Sequence, residues 1–547
     1  MAEPKTSGLL PILATSAIAG SLLHQLFFKQ VEVDKRPVST AAASAGSYFL
    51  VVSLLKLLLG QNHGEIWPYL VGFLAWITAF SSLWLNILVY RALFHPLNHF
   101  PGPFGAKLTK FWTLRKVLES KLRWYQVVDK LHAQYGDYVR TGPRELLIFD
   151  PAAIVPILGF ASITNKGPFY DSLEKSVNTS RDKDFHKKRR KIWDVAFKTS
   201  LADYGPRIED FTSQLLVRIG KNAGNPVGVN ELCIHYSYDV MSALAFGKAM
   251  GFITGTSEGD ATEILQNMQE GVDAIGFLLH IPWLLGIVTT FSWAIGPLRK
   301  WNNYSNEQAE LRKKMKNPKP DLFGHLYKST EDTPEGRTVL FSEARLIIGA
   351  GSDTTATALT NIFVILSVYP EWATKLRAEV DASFKDGTYA CTRPLPIMDG
   401  IINETLRLHP SVYFPSQRET PPQGMTIGDT FIPGGAIISI PPYQVHRDQR
   451  NFVRPNEFLP ERWSSQPELV LNRNAFMPFM IGPYNCAGKS LAMMELRSVI
   501  SRTIHEFDVG FPPNSNFDPD DYFSRSKDHF VAGAALQDLV FTQRRDR

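Results

Sequence analysis

Cysteine is scarce in this chain: Cys233, Cys391 and Cys486 are the only three among 547 residues. They lie far apart, which excludes a disulfide framework or a CxxC metal site and points to a reducing compartment for the folded part. Charge of one sign is lacking too, because 58 basic against 53 acidic residues leave a net charge of only +5. That balance makes no case for nucleic acid as a ligand. Beyond residue 95 the sequence also lacks internal repeats, low-complexity tracts and long linkers. With 44% hydrophobic and 20% charged residues it can bury a large core. Length alone suggests about two to four domains, although a single large helical unit fits as well.

Apolar sequence, by contrast, is concentrated before residue 95, at about Gly8 to Phe28, Ala41 to Gly60 and Ile66 to Phe94. Each stretch approaches the roughly 20 residues that a helix needs to cross a bilayer. The third is the strongest. Trp67 to Tyr90 carries no formal charge and has Trp67, Tyr69 and Tyr90 near its ends, where aromatic rings favour the interface. Lys56 interrupts the second near one end, from which its ammonium can snorkel to the headgroups. His24 and Gln25 make the first the weakest. A cleaved signal peptide is the alternative there, but the apolar run is long and has no clear small-residue cleavage site. Lys29, Lys35 and Arg36 lie between the first two stretches, whereas residues 60–66 hold only Glu65. The positive-inside rule then puts residue 91 onward in the cytosol, and Arg91, Lys107, Lys110, Arg115 and Lys116 agree. Were the first stretch not to span, only the N-terminus would change sides. Pro96, Pro101 and Pro103 follow at once and forbid helix continuation, giving a stiff elbow.

The most informative stretch surrounds Cys486. Gly482 and Pro483 demand a turn before it, and Gly488 leaves space for a flat ligand against the backbone. The sulfur is therefore presented, not packed away. A helix then starts, with Leu491, Leu496, Ile500, Ile504 and Phe507 on one buried stripe and with first-turn amides that stabilise an anionic sulfur. A lone cysteine before a helix is ordinarily an inert buried thiol. Here the spacing decides otherwise, since Phe479, Gly482, Cys486, Gly488, Ala492 and Glu495 fall as F-x-x-G-x-x-x-C-x-G-x-x-x-A-x-x-E. That pattern resembles the haem-binding loop of the cytochrome P-450 family. The resemblance implies Cys486 as the proximal ligand to haem iron, Phe479 as the ring beside the sulfur, and a thiolate that favours cleavage of the O–O bond.

One position departs from the family pattern, which usually has Arg or His two residues before the cysteine, where this chain has Tyr484. A phenol can hydrogen-bond a haem propionate but brings no positive charge. Propionate pairing is then expected from His186 and Arg190, whose spacing resembles the family's H-x-x-x-R helix, and from Arg418. A basic run such as Lys187 to Lys191 is otherwise more often a solvated face.

Two further motifs stand in the family's order. Ala350-Gly351-Ser352-Asp353-Thr354-Thr355 interrupts an apolar run from Leu346 to Val368, and hydroxyls there can capture the carbonyl one turn back, so a groove or bulge is expected in a long helix. The segment resembles the family's oxygen-activation motif, which implies Asp353 and Thr354 as the catalytic proton relay. Glu404 and Arg407 share one helical face at i and i+3. With Arg462 of Pro460-Glu461-Arg462-Trp463 they resemble the family's buried structural triad, in which an unpaired charge would be costly.

Together these motifs imply a mainly α fold with small β-sheets (α+β), the cytochrome P-450 fold preceded by N-terminal transmembrane helices. The expected division is a membrane anchor at 1–94 with up to three spans, a proline-rich hinge at 95–105 and a haem-thiolate catalytic domain at 106–547. The anchor and elbow look most like membrane-bound fungal members. The implied cofactor is haem b, iron protoporphyrin IX, with Cys486 as metal ligand and Gly482, Gly488 and Tyr484 among the groups around it. No flavin or nucleotide fingerprint is present, so electrons are expected from a separate NADPH-cytochrome P-450 reductase, with a b-type cytochrome as a second donor. Lys187, Lys188, Arg189 and Lys489 are the expected basic docking face. The expected activity is insertion of one oxygen atom from O2 into a lipophilic substrate at the endoplasmic reticulum membrane: a terpenoid, sterol, fatty acid or aromatic compound of fungal secondary metabolism or detoxification. Apolar residues 276–295, broken by proline and glycine, read either as core or as a lid that dips into the membrane lipid. A haem-thiolate isomerase or dehydratase that does not use O2, and a non-catalytic haem-binding membrane protein, are the other readings. The Asp353–Thr354 pair argues against the first; that pair, the triad and the cysteine loop together argue against the second.

Overall fold

The computed structural model describes residues 9–29, 36–59, 66–257, 259–290, 296–316, 318–384 and 393–544. Cys391 and the last part of the expected lid, residues 291–295, lie outside them. All three apolar stretches form helices long and apolar enough to cross a membrane: α1 (Leu9–Leu23, continued by a π turn to Phe28), α2 (Pro37–Leu59) and α3 (Trp67–Val89). The first, weakest in sequence, is fastened to α3 by small and polar groups. A Cβ on Gly20 would lie 2.1 Å from the Ala79 carbonyl oxygen, so only glycine permits that approach. Beside it, Ser82 Oγ donates to the Ala17 carbonyl at 2.7 Å and Asn86 Nδ2 to Ser21 Oγ at 2.9 Å. Lys56 reaches the end of α3 and donates to Tyr69 Oη at 2.6 Å.

The helical path of α3 continues as a π turn to Phe94, where the prolines end it, and a 3-10 turn at Pro96–His99 follows. Leu97 and Phe100 are buried, Phe100 stacks on Tyr138, and the Pro101 carbonyl accepts from the Arg140 amide at 2.8 Å. The elbow is thus packed onto the globule, and a short helix already starts at Phe104.

Long helices build the globule. Lys183–Lys221, Val229–Phe246, Pro334–Val368, Pro396–Leu408 and Lys489–Glu506 share one large apolar core. A five-stranded sheet lies beside it, ordered Tyr138–Gly142, Glu145–Ile148, Ile437–Ser439, Arg418–Glu419 and Asn165–Lys166. In the last pairing, antiparallel, Lys166 stands opposite Arg418. The C-terminal hairpin of Lys527–His529 and Val531–Gly533 reaches back to the Pro334–Val368 helix, where Thr357 Oγ1 donates to the Ala532 carbonyl at 2.9 Å.

Two expectations about helices need correction. The Pro334–Val368 helix runs without a break through Ala350–Thr355. Thr354 Oγ1 does donate to the Ala350 carbonyl at 2.7 Å, but a carbonyl has two lone pairs and can take that bond in addition to its helical one. The Lys489–Glu506 helix is buried on more than one stripe, because Met493, Met494, Val499 and Thr503 join the five apolar positions inside the core.

Candidate active site

A cavity of about 440 Å³ lies between the Cys486 loop, the Pro334–Val368 helix and the sheet. The loop is shaped by necessity. Gly482 has φ +72°, and a Cβ there would sit 2.0 Å from the Leu158 carbonyl oxygen, so glycine is required twice over. The Cys486 amide donates to the Phe479 carbonyl at 2.8 Å, closing the turn, and Gly488 keeps its flank open with Phe197 and Cys486 Sγ as nearest neighbours. Cys486 is exposed into the cavity, whereas Cys233 is buried in the core. Although it opens to the cavity, the Cys486 sulfur is set inside the protein, and that desolvation pushes its thiol up. The Gly488 and Lys489 amides and the Arg190 and Lys489 charges pull it down without reversing the shift. By itself the helix start therefore does not hold the sulfur in its anionic form.

Opposite stand the residues of the second motif. Thr354 and Thr355 line the cavity, with Gly351, whose missing Cβ admits Met241. Asp353 does not line it: its Oδ1 accepts from Tyr238 Oη at 3.0 Å, and burial raises its carboxyl to about 6 although that hydrogen bond opposes the rise. Structure therefore brings Thr354 to the cavity and turns Asp353 to the neighbouring helix. Val177, Leu346, Ile347, Phe414, Phe530 and Val531 give the remaining wall its apolar character.

The basic groups gather around Tyr484. His186 packs its ring against Tyr484 at 4.6 Å, and burial, the largest cause, lowers it to about 4. Arg418 stands over the same ring at 4.9 Å and hydrogen-bonds the Gln417 carbonyl. Arg190 is committed differently from expectation. Its guanidinium grips Asn485, donating to the backbone oxygen and, at 2.6 Å, to Oδ1, while Nε pairs with Asp194 at 2.7 Å. It clamps the residue beside Cys486. Lys166 is the group that sequence reasoning missed. Its ammonium lies 4.5 Å over the Tyr484 ring and donates to the Val177 and Asn178 carbonyls, and burial, then Arg418, lowers it to about 7. Nothing in its local sequence marks it, because a two-residue strand brings it here.

Glu404, Arg407 and Arg462 meet away from the cavity, all fully buried. Glu404 Oε1 receives Arg407 Nη2 at 2.8 Å and Arg462 Nε at 2.9 Å, and Oε2 receives Arg407 Nε and Trp463 Nε1, both at 2.9 Å. Arg189, expected at the docking surface, is buried in an ion pair with Glu343, while Lys187, Lys188 and Lys489 are exposed.

A thiol open to a cavity, a small residue at its flank and two buried cations, Lys166 and Arg418, that meet no carboxylate among the described residues are the donor set that an anionic, iron-bearing macrocycle needs. The residues fit haem, and the class they define is a haem-thiolate enzyme. Comparison with known proteins agrees. The sequence model of the cytochrome P450 family matches residues 103–530. The Cytochrome P450 monooxygenase orf5 of Eupenicillium brefeldianum is 37% identical over 470 residues, covering 85% of this chain and 94% of that protein. The Cytochrome P450 monooxygenase nodW of Hypoxylon pulicicidum is 36% identical, covering 92% of this chain and 93% of the relative. A Tryprostatin B 6-hydroxylase of Aspergillus fumigatus is 34% identical, with 85% and 84% covered. The chain belongs to the cytochrome P450 family. It is a haem-thiolate monooxygenase with haem b as cofactor, served by a redox partner and acting on lipophilic substrates, and three apolar helices give it a membrane anchor.

Proposed function

We propose that Cys486 is the thiolate that holds the haem iron, with Phe479, Gly482 and Gly488 shaping its loop and His186, Arg418 and Tyr484 around the porphyrin's polar edge. The observation that carries this reading is the Cys486 sulfur, exposed to an apolar-walled cavity that Thr354 also lines. When bound, thiolate-ligated haem supplies dioxygen activation and transfer of one oxygen atom. The chain's own groups govern protons and access. The Thr354 hydroxyl, parked on the Ala350 carbonyl, can turn to pass a proton into the cavity. Asp353, raised to about 6, exchanges a proton near neutral pH, and Tyr238 fixes its carboxyl one helix away from the cavity. The apolar wall keeps bulk water from the reacting centre. Glu404, Arg407 and Arg462 hold the fold.

The substrate we propose is a lipophilic secondary metabolite, hydroxylated as the name of the Aspergillus fumigatus relative describes for its own substrate. The electron source is an NADPH-dependent reductase docking through Lys187, Lys188 and Lys489, with a b-type cytochrome as second donor. We place the enzyme in the endoplasmic reticulum membrane, with anchor, hinge and catalytic domain divided as 1–94, 95–105 and 106–547. Arg36 and the first residues of α2, Pro37, Val38 and Ser39, border a pocket with Asp171, Ser172, Gly286 and Thr289 of the globule, which supports this end of α2 and the catalytic domain sharing the cytosolic side. The same contact sets the Pro282–Thr290 helix beside α2, as a membrane-facing lid requires.

Reduced, carbon monoxide-treated difference spectra of membranes test the assignment. The wild-type chain should give the thiolate-type Soret band and Cys486→Ser should lose it together with turnover. A Cys486→Ser protein that keeps both would refute the reading. Oxygen and NADPH consumption with added reductase then tests the electron source.

A further inference from the structure

We infer that Lys166 supplies the positive charge that Tyr484 fails to bring, and that the Lys166–Arg418 pair is the chain's two-cation seat for the two haem propionates. The inference rests on haem being the ligand of the cavity, and it adds a residue that the family motifs do not mark.

The argument starts from strand register. Lys166 and Arg418 are direct antiparallel partners, so the backbone forces an ammonium and a guanidinium onto the same patch of one sheet edge. Like charges placed directly opposite destabilise a pair of strands. Here both side chains are also only 2% exposed, which removes the water that would screen them. Among the described residues neither cation meets a carboxylate. Lys166 donates to two carbonyls, Val177 and Asn178, and Arg418 to one, Gln417. Two of the three ammonium protons are thereby used, and one is left for a ligand.

Tyr484 is the platform that joins them. Lys166 lies 4.5 Å and Arg418 4.9 Å from the centroid of its ring, so a cation–π contact holds each charge in place. An arginine at position 484 would instead put a third cation on the pair. The other basic neighbours do not fill the role: the guanidinium of Arg190 is engaged by Asn485 and Asp194, and His186 is kept neutral by burial. Two unpaired buried positive charges at the rim of the cavity call for a ligand with two negative ones. Haem b carries two propionates.

The test uses the full-length, haem-loaded protein and follows haem transfer to excess apomyoglobin. Lys166→Met should release haem about tenfold faster than wild type, Lys166→Arg within about twofold of it, and adding Tyr484→Arg to Lys166→Met should restore slow release. Thermal unfolding of the haem-free chain separates this from a packing role, since Lys166 also ties down the 177–178 backbone. The haem-free midpoints of wild type and Lys166→Met should agree closely. Release from Lys166→Met at the wild-type rate, or a defect that Tyr484→Arg leaves unrepaired, would overturn the inference. A wild-type chain without the thiolate-type absorption band would overturn the haem assignment on which it stands.

Discussion

The Glu404 cluster and the Lys166 cluster are equally hidden from water, yet only the first contains its own counter-charge. Around Glu404, one carboxylate accepts from both guanidiniums, from the Trp463 indole and from the Leu459 amide. The donors left over end on carbonyls, Arg407 on His446, Pro455 and Glu457, and Arg462 on Val453, Leu469 and Arg454. The cluster is closed, and nothing from outside can improve it. Around Tyr484, Lys166 and Arg418 line a cavity, and among the described residues neither of them pairs with a carboxylate. That cluster is open, and its stability depends on what binds. Burial of charge thus serves folding in one place and recognition in the other, and the presence or absence of the opposing carboxylate tells them apart.

The largest effect is expected where the closed cluster is opened. Glu404→Gln keeps the shape but leaves two buried guanidiniums without an anion, a loss of about 3–5 kcal/mol. That is a large part of the stability of a typical protein, so little folded chain should accumulate and added hemin should not rescue it. Thermal unfolding and membrane yield measure it. A Glu404→Gln protein that melts within a degree or two of the parent would erase the distinction between the clusters.

Opening the other cluster further should do something different. Arg418→Met removes a cation that has no protein carboxylate, so the chain should still fold and should lose haem about tenfold faster. Raising the hemin concentration during expression should restore occupancy, the reverse of the Glu404 result. If Arg418→Met fails to accumulate whatever the haem supply, the Tyr484 surroundings are a folding element and the comparison breaks.

What could be read from sequence follows from the range of the interactions. Gly482, Cys486 and Gly488 act within one turn, and Glu404 with Arg407 within one helical repeat, so spacing alone exposes them. The apolar runs of α1, α2 and α3 are equally local. Contacts made by tertiary packing left no such trace: Lys166 meets Arg418 through two-residue strands, Arg189 finds Glu343 154 positions away, and Asp353 finds Tyr238 115 positions away. Those long-range partners are also what the structure adds to the motif-based picture. Arg189 proved internal, Arg190 became the clamp on Asn485, and Asp353 was drawn off the cavity wall.

Asp353 and Tyr238 form a third kind of buried polar site, in which a single neutral donor stands where the triad has cations. Tyr238→Phe removes that donor, and a stability loss smaller than that of Glu404→Gln is expected, about 1–3 kcal/mol. The pH dependence sharpens it. Burial holds the folded Asp353 carboxyl at about 6, above its ordinary 3.8, so between those values the folded state binds more protons than the unfolded one. Stability therefore falls as pH rises through that window and levels off above about 6. The Tyr238 hydrogen bond favours the ionised carboxylate, and its loss should raise the carboxyl further and extend the decline to higher pH. The gap between the unfolding midpoints of wild type and Tyr238→Phe should accordingly be small at pH 5 and widen through pH 6 to 8. A gap that stays constant over that range would mean that the phenol only packs, and that the proton on Asp353 is held by burial alone.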